Sequence, residues 1–569
     1  MFENVEGRFL PPDEHRPLLC FGAPWFQYAH NRKSLNLAHE IIDRSLALYG
    51  PQRPAIYDDN TGRTWTYGEL NAAVNRLGNA FRRLGVQPGE RVIMRFGERP
   101  EAAISQLAVW KVGAIAVPTS VLDSARELSS IAADTEARWL VCEAANFAEV
   151  EKALAQPNCL SGVIVAGGAS AAAGSYLSFA KLIADESESL EPYPTRALDA
   201  AIIGYTGGTT GHPKGCIHTH AGYLAISDLN AIYRGVSHTD VLLCHAPLGH
   251  AFGNGEKIAI PLRWGAATVY RERPSAEDMW RLLGRYRVTA MAGIATMYRM
   301  MARVEGELPP DLKLRSALST GEMLDEAGAA RWSKMAGVEL RNVVGMVPMA
   351  HIFLESNDLN ARRVAPGLSV GMPMAGYEAK VVALDSLTEL EPGETGRLAV
   401  RGPTGITYWT NKHPGIRERA TRDVIGGWSL LDDAYRRDED GWLYITGRLD
   451  DMIVTAGRQI SAVEVETVLL SHPGVREAAV FAAPDPIRGQ VVAACVVPAP
   501  QVTPSDDFKA ELQRYCKENL AAYKYPRQIQ FAASLPRDEV GKLRRRLLKE
   551  AFGTSSAAAA EPRPTVKVT

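Results

Sequence analysis

The sequence has almost no net charge, few cysteines and no long uninterrupted hydrophobic run. Its 569 residues carry 63 lysines and arginines against 65 aspartates and glutamates, which gives a formal net charge of −2. Because no field of one sign is available to hold phosphate backbones or anionic lipid, this balance excludes a dedicated nucleic-acid or membrane-surface binder. The longest apolar stretch, near 101–118, is interrupted by Lys111, so we expect no transmembrane helix.

Cysteine is scarce and is never spaced as a redox or zinc-binding pair. The seven cysteines form no CxxC motif, which predicts free thiols in a reducing compartment. The Cys/His groups at 216–220 and 244–245 lack zinc-site spacing, so we predict no protein-bound metal there. The segment MFENVEGRFLPPDEHRPLL is acidic and contains prolines, unlike a secretory signal, so we expect a cytoplasmic protein.

Helical and strand periods alternate through most of the chain. Apolar residues recur every three or four positions at 36–48 and 67–84, which predicts amphipathic helices. Short runs rich in valine and isoleucine at 91–96, 114–119 and 139–142 predict strands. This alternation predicts an α/β fold with a largely parallel sheet, and the length predicts several domains.

The sequence pattern changes near residue 450. A compact series of helix and strand patterns with its own turn signals follows that point. We therefore predict a large N-terminal domain of several subdomains over 1–449 and a small α+β domain over 450–553. The remaining residues, 554–569, contain too few apolar side chains to fold and are predicted to form a disordered tail.

The strongest chemical signal is AIIGYTGGTTGHPKG at 201–215, in which an apolar run leads into glycines, threonines and a lysine. Glycine lets the backbone approach phosphate oxygens without a Cβ clash, threonine hydroxyls donate hydrogen bonds, and lysine adds a mobile positive charge. Gly-Lys-Ser/Thr is absent, which excludes P-loop kinases and GTPases. The residues predicted to hold a polyphosphate are Thr206, Gly207, Gly208, Thr209, Thr210 and Lys214.

Five further motifs follow this loop. They are STGEM (319–323), GETGRLAVRG (393–402), DAYRRDEDGWLYITGRLDDMI (433–453), AGRQISAVEVE (456–466) and PRDEVGKLRRRLL (536–548). In this order, and over nearly its whole length, the sequence resembles the adenylate-forming enzymes, which include acyl-CoA and aryl-CoA synthetases, luciferases and peptide-synthetase adenylation domains. The resemblance implies that ATP and a carboxylate form an acyl adenylate and pyrophosphate, after which a thiol displaces AMP.

The resemblance also implies roles for individual residues. Lys542 corresponds to the catalytic lysine that bridges the carboxylate and the α-phosphate, and Asp450 corresponds to the hinge about which the small domain reorients. The implied nucleotide ligands are Gly321, Glu322 and Met323 along the adenine, and Asp433 and Arg448 at the ribose. Gly457 and Arg458 are expected to border the tunnel for coenzyme A. The alternatives are a solvated basic helix start for Lys542 and a helix-start acid for Asp450.

Two segments indicate the acid. HAPLGHAFGNG (245–255) and MAHIF (349–353) resemble stretches that border the acyl pocket, the second one in benzoate-CoA and 2-aminobenzoate-CoA ligases. The implied substrate-binding residues are His250, Phe252, Gly253, His351 and Ile352. Aromatic walls select planar ligands by stacking and shape, so the resemblance implies an aryl acid. The alternative is that the second segment is ordinary core.

The sequence departs from the family pattern at two places. The family's Thr-Glu, near the phosphate and magnesium, is here Val347 and Pro348, and its Thr-Gly-Asp is Leu-Asp-Asp at 431–433. Neither Val347 nor Pro348 has a side-chain oxygen. Magnesium is therefore expected to be held by phosphates and water, with Glu355 or Asp432 as candidate helpers.

Three functions remain open. The first is an AMP-forming acid–thiol ligase that uses ATP, Mg²⁺ and coenzyme A on a small-molecule aryl acid. The second is an adenylating enzyme with another acceptor, such as a carrier-protein thiol or, in a diazotase-like reaction, an aryl amine for activated nitrite. The third is a non-catalytic nucleotide-binding paralogue. The presence of Lys214, Asp433, Arg448 and Lys542 favours catalysis, and we predict the aryl-CoA ligase.

Overall fold

The computed structural model describes most of the chain. The described residues are 2–21, 33–167, 176–206, 213–321, 326–358, 363–364, 369–384, 386–409, 414–449, 453–455, 458–460, 462–485, 489–520, 524–536, 543, 545 and 547–548. The predicted site residues at 207–210, 322–323, 450, 457 and 542, and the predicted tail, lie outside them. No helix within these ranges has both the length and the apolar character needed to cross a bilayer.

The strands are numbered here in chain order. They are β1 Pro54–Asp58, β2 Arg63–Thr66, β3 Arg91–Arg95, β4 Ile115–Thr119, β5 Trp139–Glu143, β6 Gly162–Ala166, β7 Leu177–Ser178, β8 Ala200–Thr206, β9 Lys214–Thr219, β10 Val241–Cys244, β11 Ala267–Tyr270, β12 Ala290–Gly293, β13 Ser316–Ser319, β14 Leu340–Asn342, β15 Val344–Gly345, β16 Ile352–Glu355, β17 Asn357–Asp358, β18 Arg363–Val364, β19 Met372–Pro373, β20 Glu378–Val382, β21 Thr395–Arg401, β22 Val424–Ile425, β23 Trp428–Arg437, β24 Leu443–Arg448, β25 Ile453–Thr455, β26 Arg458–Ile460, β27 Val475–Asp485, β28 Gly489–Pro498 and β29 Gln528–Phe531.

Helices connect most of these strands. The α-helices are Arg44–Tyr49, Tyr67–Arg83, Pro100–Lys111, Ala125–Thr135, Phe147–Leu154, Phe179–Ile183, His220–Arg234, Ala251–Asn254, Ile260–Arg263, Ala276–Arg285, Ala295–Met301, Glu326–Ala336, Pro414–Asp423, Ala462–Ser471 and Asp506–Asn519. Two π-helical turns, His39–Asp43 and Gly255–Ala259, and the 3₁₀ turns Gly7–Phe9, Asp13–His15, Ala144–Asn146 and Val347–Met349 complete the described helical segments.

Local sequence accounts for the amphipathic helix that was predicted at 67–84. Thr66 accepts a hydrogen bond from the Glu69 backbone, and the Glu69 carboxylate accepts from the Thr66 backbone, so a capping box starts the helix. Arg82 and Arg83 lie in its last turn, where positive charge is favourable to the helix dipole. The observed helix, Tyr67–Arg83, confirms the prediction to within one residue.

Two seven-stranded sheets form the framework of the large domain. The first has the order β7-β6-β5-β3-β4-β8-β9, parallel except for the antiparallel β8–β9 pair. The second has the order β14-β13-β12-β10-β11-β1-β2, parallel except for the antiparallel β1–β2 pair. Strands of parallel sheets are buried on both faces, which is why their sequences are continuous apolar runs. The α/β prediction is confirmed.

Two apolar helices pack in the core that the sheets share. Helices Pro100–Lys111 and His220–Arg234 are buried on nearly every side. This agrees with their sequences, in which apolar residues are not confined to one stripe. They contact each other through Trp110 and Tyr223, whose ring centroids are 5.7 Å apart. The hydrophobic core that contains both helices also includes residues from both sheets.

Antiparallel sheets form the rest of the fold. Strands β20-β21-β23-β22 form one sheet, and β24 pairs with β23. The C-terminal part contains a β27-β28-β29 sheet covered by helices Ala462–Ser471 and Asp506–Asn519, with a separate hydrophobic core that begins at Ile453. The predicted combination of a large α/β domain and a small α+β domain is therefore observed, whereas the boundary at residue 450 lies outside the described residues.

Candidate active site

The candidate site lies where parallel strands of the second sheet end. Segment 245–255 follows β10, Gly321 lies just after β13, and the turn at 346–351 follows β14 and β15. Loops after the carboxyl ends of parallel strands border the ligand crevice in open α/β sheets. The fold thus brings three of the segments singled out in the sequence to one edge of this sheet.

The predicted phosphate loop joins two paired strands of the first sheet. Thr206, at the end of β8, lies opposite Lys214, at the start of β9, in an antiparallel register. Lys214 is buried. The predicted ligands Gly207, Gly208, Thr209 and Thr210 lie outside the described residues. The structure therefore fixes both ends of the loop.

The turn that carries Val347 and Pro348 packs against this hairpin. The buried His218 on β9 donates a hydrogen bond from Nε2 to the Val347 carbonyl over 2.7 Å. On β8, a Cβ added at Gly204 would lie 2.9 Å from Val347 Cγ1, so glycine permits the contact. The sequence departure at 347–348 thus lies beside the stem of the phosphate loop.

The turn places the second predicted pocket segment against the first. Ala350 adopts a φ of +68°, and the chain then enters β16 through His351 and Ile352. His351 is buried, and its ring lies 5.5 Å from the partly exposed Phe252 ring at an interplanar angle of 32°. A Cβ at Gly255 would lie only 2.4 Å from the imidazole, so the close approach requires glycine there.

The other two predicted pocket residues shape the same segment. His250 precedes the short helix Ala251–Asn254, and its side chain is exposed to solvent. A Cβ at Gly253 would lie 2.1 Å from the Pro247 carbonyl oxygen, so this turn is too tight for any side chain. All five predicted pocket residues therefore belong to two contacting segments.

A buried ion pair lies next to His351. Arg234 Nη1 donates to both oxygens of Glu256 over 2.8 and 2.6 Å, and both side chains are almost fully inaccessible. His351 Nε2 lies 3.3 Å from the Phe252 carbonyl and 3.8 Å from Glu256 Oε1. Burial lowers the pKa of His351, and the Phe252 carbonyl is placed to accept a hydrogen bond from Nε2.

This ion pair leaves only a weak signal in the sequence. Its only signal is that Glu256 and Lys257 interrupt an otherwise apolar helical run, because charges in such a run are expected to be paired. Lys257 pairs with Glu98, whose Oε1 also accepts a hydrogen bond from the Leu248 backbone over 3.0 Å. One member of each ion pair, Glu256 or Lys257, lies in the π-helical turn Gly255–Ala259. Such turns are found frequently at functional sites.

The predicted adenine and ribose residues occupy strand ends. Gly321 has a φ of +79°, a conformation that favours glycine, directly after β13. Asp433 on β23 lies directly opposite Arg448 on β24 in the antiparallel pair, so the two predicted ribose ligands are cross-strand neighbours. Glu322 and Met323 lie outside the described residues, as does the side chain of Arg448.

The C-terminal predictions fall largely outside the described part of the chain. Lys542, Asp450 and Gly457 are not within it, and Arg458 is described only as the first residue of β26. Their roles stay predictions.

The two carboxylates that were expected to help bind magnesium, Glu355 and Asp432, already have other partners. Glu355 is buried and accepts hydrogen bonds from Ser356 while pairing with Arg341 over 3.2 Å. Asp432 pairs with Arg419 and other arginines. Within the described ranges, no three His, Cys, Asp or Glu side chains are grouped so as to hold a metal. The expectation that Glu355 or Asp432 assists is therefore corrected, because arginine already neutralises each carboxylate.

Comparison with known families identifies the two domains. Residues 43–409 match the family model described as AMP-binding enzyme, and residues 464–542 match the AMP-binding enzyme C-terminal domain. The chain belongs to the AMP-binding enzyme family. The prediction of an adenylate-forming enzyme, made from the order of the motifs, is confirmed.

Individual relatives extend over nearly all of this AMP-binding enzyme. Benzoate–CoA ligase of Thauera aromatica is 32% identical over 521 residues, which cover 91% of this chain and 96% of the relative. Acetyl-coenzyme A synthetase of Bacillus subtilis (strain 168) is 30% identical over 528 residues and 90% of each chain. The solved anthranilate CoA ligase AuaEII in complex with anthranoyl-AMP has a TM-score of 0.80 at 29% identity, with 92% of this chain and 99% of that chain covered. These names include aryl acids and acetate, so family membership alone does not fix the acid.

We expect the free energy of unfolding to fall below pH 6.5, and His218→Gln to weaken that dependence. Burial lowers the pKa of His218 from 6.5 to about 4, so between these values the unfolded chain binds a proton that the folded protein excludes. The stability from this group is complete above pH 6.5 and falls by about 1.4 kcal/mol per unit toward pH 4. Glutamine keeps an N–H donor for the Val347 carbonyl but does not titrate.

Urea unfolding at a series of pH values measures this slope. His39→Gln is the control, because the hydrogen bond that the half-exposed His39 donates to Asp43 raises the pKa of its imidazole. Its stabilisation is present at low pH and is lost as pH rises, the opposite sign from His218. An unchanged slope in His218→Gln would contradict the assignment.

Proposed function

We propose that this AMP-binding enzyme activates an aromatic carboxylic acid with ATP and then transfers the acyl group from the adenylate to coenzyme A. One observation carries the proposal. The Phe252 and His351 rings form a tilted pair at the carboxyl edge of the sheet, on segments attached to the stem of the phosphate loop. The partly exposed Phe252 ring can stack on a planar ligand, and the buried His351 packs against it from the side of the core. The aryl-acid ligases among the relatives support the same substrate class.

In the first proposed step, a carboxylate oxygen attacks the α-phosphorus of ATP, and the bond to the pyrophosphate leaving group breaks. Lys542 bridges the attacking carboxylate and the α-phosphate, and Lys214 stabilises the polyphosphate. Asp433 and Arg448 hold the ribose hydroxyls, which fixes the α-phosphorus relative to the acid. In the second step, the thiolate of coenzyme A attacks the acyl carbon and AMP leaves.

Magnesium offsets the negative charge of the triphosphate when it is bound. Val347 and Pro348 offer it no side-chain oxygen, and Glu355 and Asp432 already pair with arginines. We propose that phosphate oxygens and water are its main ligands, as is common for this ion.

The small domain completes the proposed enzyme. We retain 1–449 as the large domain, 450–553 as the small domain and 554–569 as a tail. Asp450 is the proposed hinge between the two half-reactions, and Gly457 with Arg458 borders the path of the coenzyme A thiol arm.

The direct test is pyrophosphate release from ATP and Mg²⁺ with a panel of acids, each with and without coenzyme A. The panel contains benzoate, 2-aminobenzoate, hydroxybenzoates, cinnamates, acetate, medium-chain fatty acids and nitrite. We expect release that depends on an aryl acid, together with formation of its thioester. Release with an aryl acid but no thioester would indicate another acceptor. Activity with acetate or fatty acids alone would contradict the proposed substrate class.

We expect Phe252→Ala to raise the KM for the aryl acid by about tenfold or more, because the substitution removes an aromatic contact and its apolar area. The KM for ATP is expected to change less than about twofold, since Phe252 belongs to the proposed acid pocket alone. Steady-state kinetics with each substrate varied measures both. Phe147→Ala, which truncates a partly buried ring at the start of helix Phe147–Leu154, is the matched control. Equal changes in both KM values would argue against this role.

We expect Lys542→Ala to abolish adenylate formation and to spare thioester formation from supplied aryl adenylate. The lysine charge is needed while the α-phosphate is attacked, but not when the thiolate attacks the acyl carbon. Pyrophosphate release measures the first half-reaction and thioester absorbance the second. Equal loss of both activities would reject the assigned role.

A further inference from the structure

A bulge in β23 lies immediately before the proposed ribose carboxylate. In the pairing of β21 with β23, Arg397 lies opposite Ala434 and Ala399 lies opposite Leu430. The three residues at 431–433 therefore face only one residue of β21. Bulges of this kind redirect side chains beside functional sites. This one coincides with the segment where the sequence has Leu-Asp-Asp in place of Thr-Gly-Asp.

Arg397 donates hydrogen bonds to backbone carbonyls of the bulge. Its side chain is buried and donates hydrogen bonds to the Leu431 carbonyl over 3.1 Å and to the Leu430 carbonyl over 2.8 Å. The same guanidinium donates to Asp423 Oδ1 over 3.0 Å. Because buried carbonyls without donors are costly, these bonds stabilise the irregular strand.

Arg419 fixes the extra carboxylate of the bulge. It pairs with Asp432, which is 30% exposed, and its Nε lies 3.0 Å from Asp423 Oδ2. Arg422 Nη2 also lies 3.2 Å from Asp432 Oδ1. Arg419 and Arg422 both belong to helix Pro414–Asp423, so one helix secures the side chain that replaces the family's glycine.

This cluster also contacts the strand that carries Lys214. Residues 407–409 run beside β9, with a backbone bridge between Cys216 and Tyr408. The Tyr408 hydroxyl donates to Asp423 Oδ2 over 2.9 Å. The cluster therefore connects the stem of the phosphate loop to the bulge before Asp433.

We propose that Arg419 is a positioning residue of the nucleotide site. By pairing with Asp432, it holds the bulge in the form that directs Asp433 at the ribose, and it neutralises the carboxylate next to Asp433. Without Arg419, Asp432 would keep only its contacts with Arg422 over 3.2 Å and Arg397 over 3.9 Å, so both effects would weaken. The inference rests on the proposed function only in that nucleotide binds at Asp433, and it does not depend on which acid is activated.

The test is calorimetric titration of the full-length protein with adenosine, AMP and ATP–Mg²⁺. The variants are Arg419→Ala, Asp432→Asn and the double variant. We expect Arg419→Ala to weaken all three ligands on the order of tenfold, because all three carry the ribose. The double variant is expected to bind ATP more tightly than Arg419→Ala, since it removes the negative charge that Arg419 no longer offsets.

Three controls keep the result interpretable. Arg401→Ala breaks an exposed ion pair with Glu378 elsewhere in the same sheet and is expected to change no affinity. Arg419→Lys keeps the charge and is expected to retain part of the affinity, which also provides a variant if the alanine substitution fails to fold. Thermal denaturation of each variant shows whether the fold is intact.

Three outcomes would overturn the inference. Weaker ATP binding with unchanged adenosine binding would assign Arg419 to direct phosphate contact. Additive effects in the double variant would show that Arg419 and Asp432 act independently. Unchanged affinity for all three ligands in a folded variant would show that the bulge does not depend on Arg419. If no acid is activated while nucleotide binding is intact, the proposed function is rejected. The positioning role of Arg419 is not rejected by that result.

Discussion

The buried hydrogen bond from His218 to the Val347 carbonyl connects the two parts of the candidate site. On one side, β8 and β9 carry the phosphate loop; on the other, the turn at 346–351 leads to His351 and the Phe252 ring. In the proposed enzyme, this contact helps to set the distance between the phosphates and the acid, because the two segments meet at it. The neutral imidazole suits the task, since a carbonyl accepts the Nε2 proton without bringing a charge into the core.

Much of the fold can be predicted from local sequence. The strand periods, the capped helix at 67–83 and the glycine-rich hairpin depend on neighbouring residues, and all three are recognisable from the chain alone. The contacts that organise the site are different in kind. Arg234 and Glu256 are 22 residues apart, and His218 and Val347 are 129 apart. A charge in an apolar run indicates that a partner exists, but only the folded chain shows which one.

The substitutions at the family's polar positions have different structural effects. At 347–348, the loss of two oxygen-bearing side chains leaves a turn that is held by its backbone carbonyl and by packing on Gly204. At 432, the gain of a carboxylate is matched by arginines from a neighbouring helix. The sequence showed both departures, whereas the compensation for Asp432 depends on a strand bulge whose register no local pattern specifies.

The π-helical turn Gly255–Ala259 also restricts how this part of the chain can change in length. Each residue of a regular helix rotates the chain by about 100°, so a one-residue deletion here would turn Glu256 or Lys257 away from its buried partner. Arg234 or Glu98 would then remain as a charge without compensation in the core. We therefore expect a chain with a one-residue deletion in this turn to tolerate it only with uncharged side chains at positions 98 and 234.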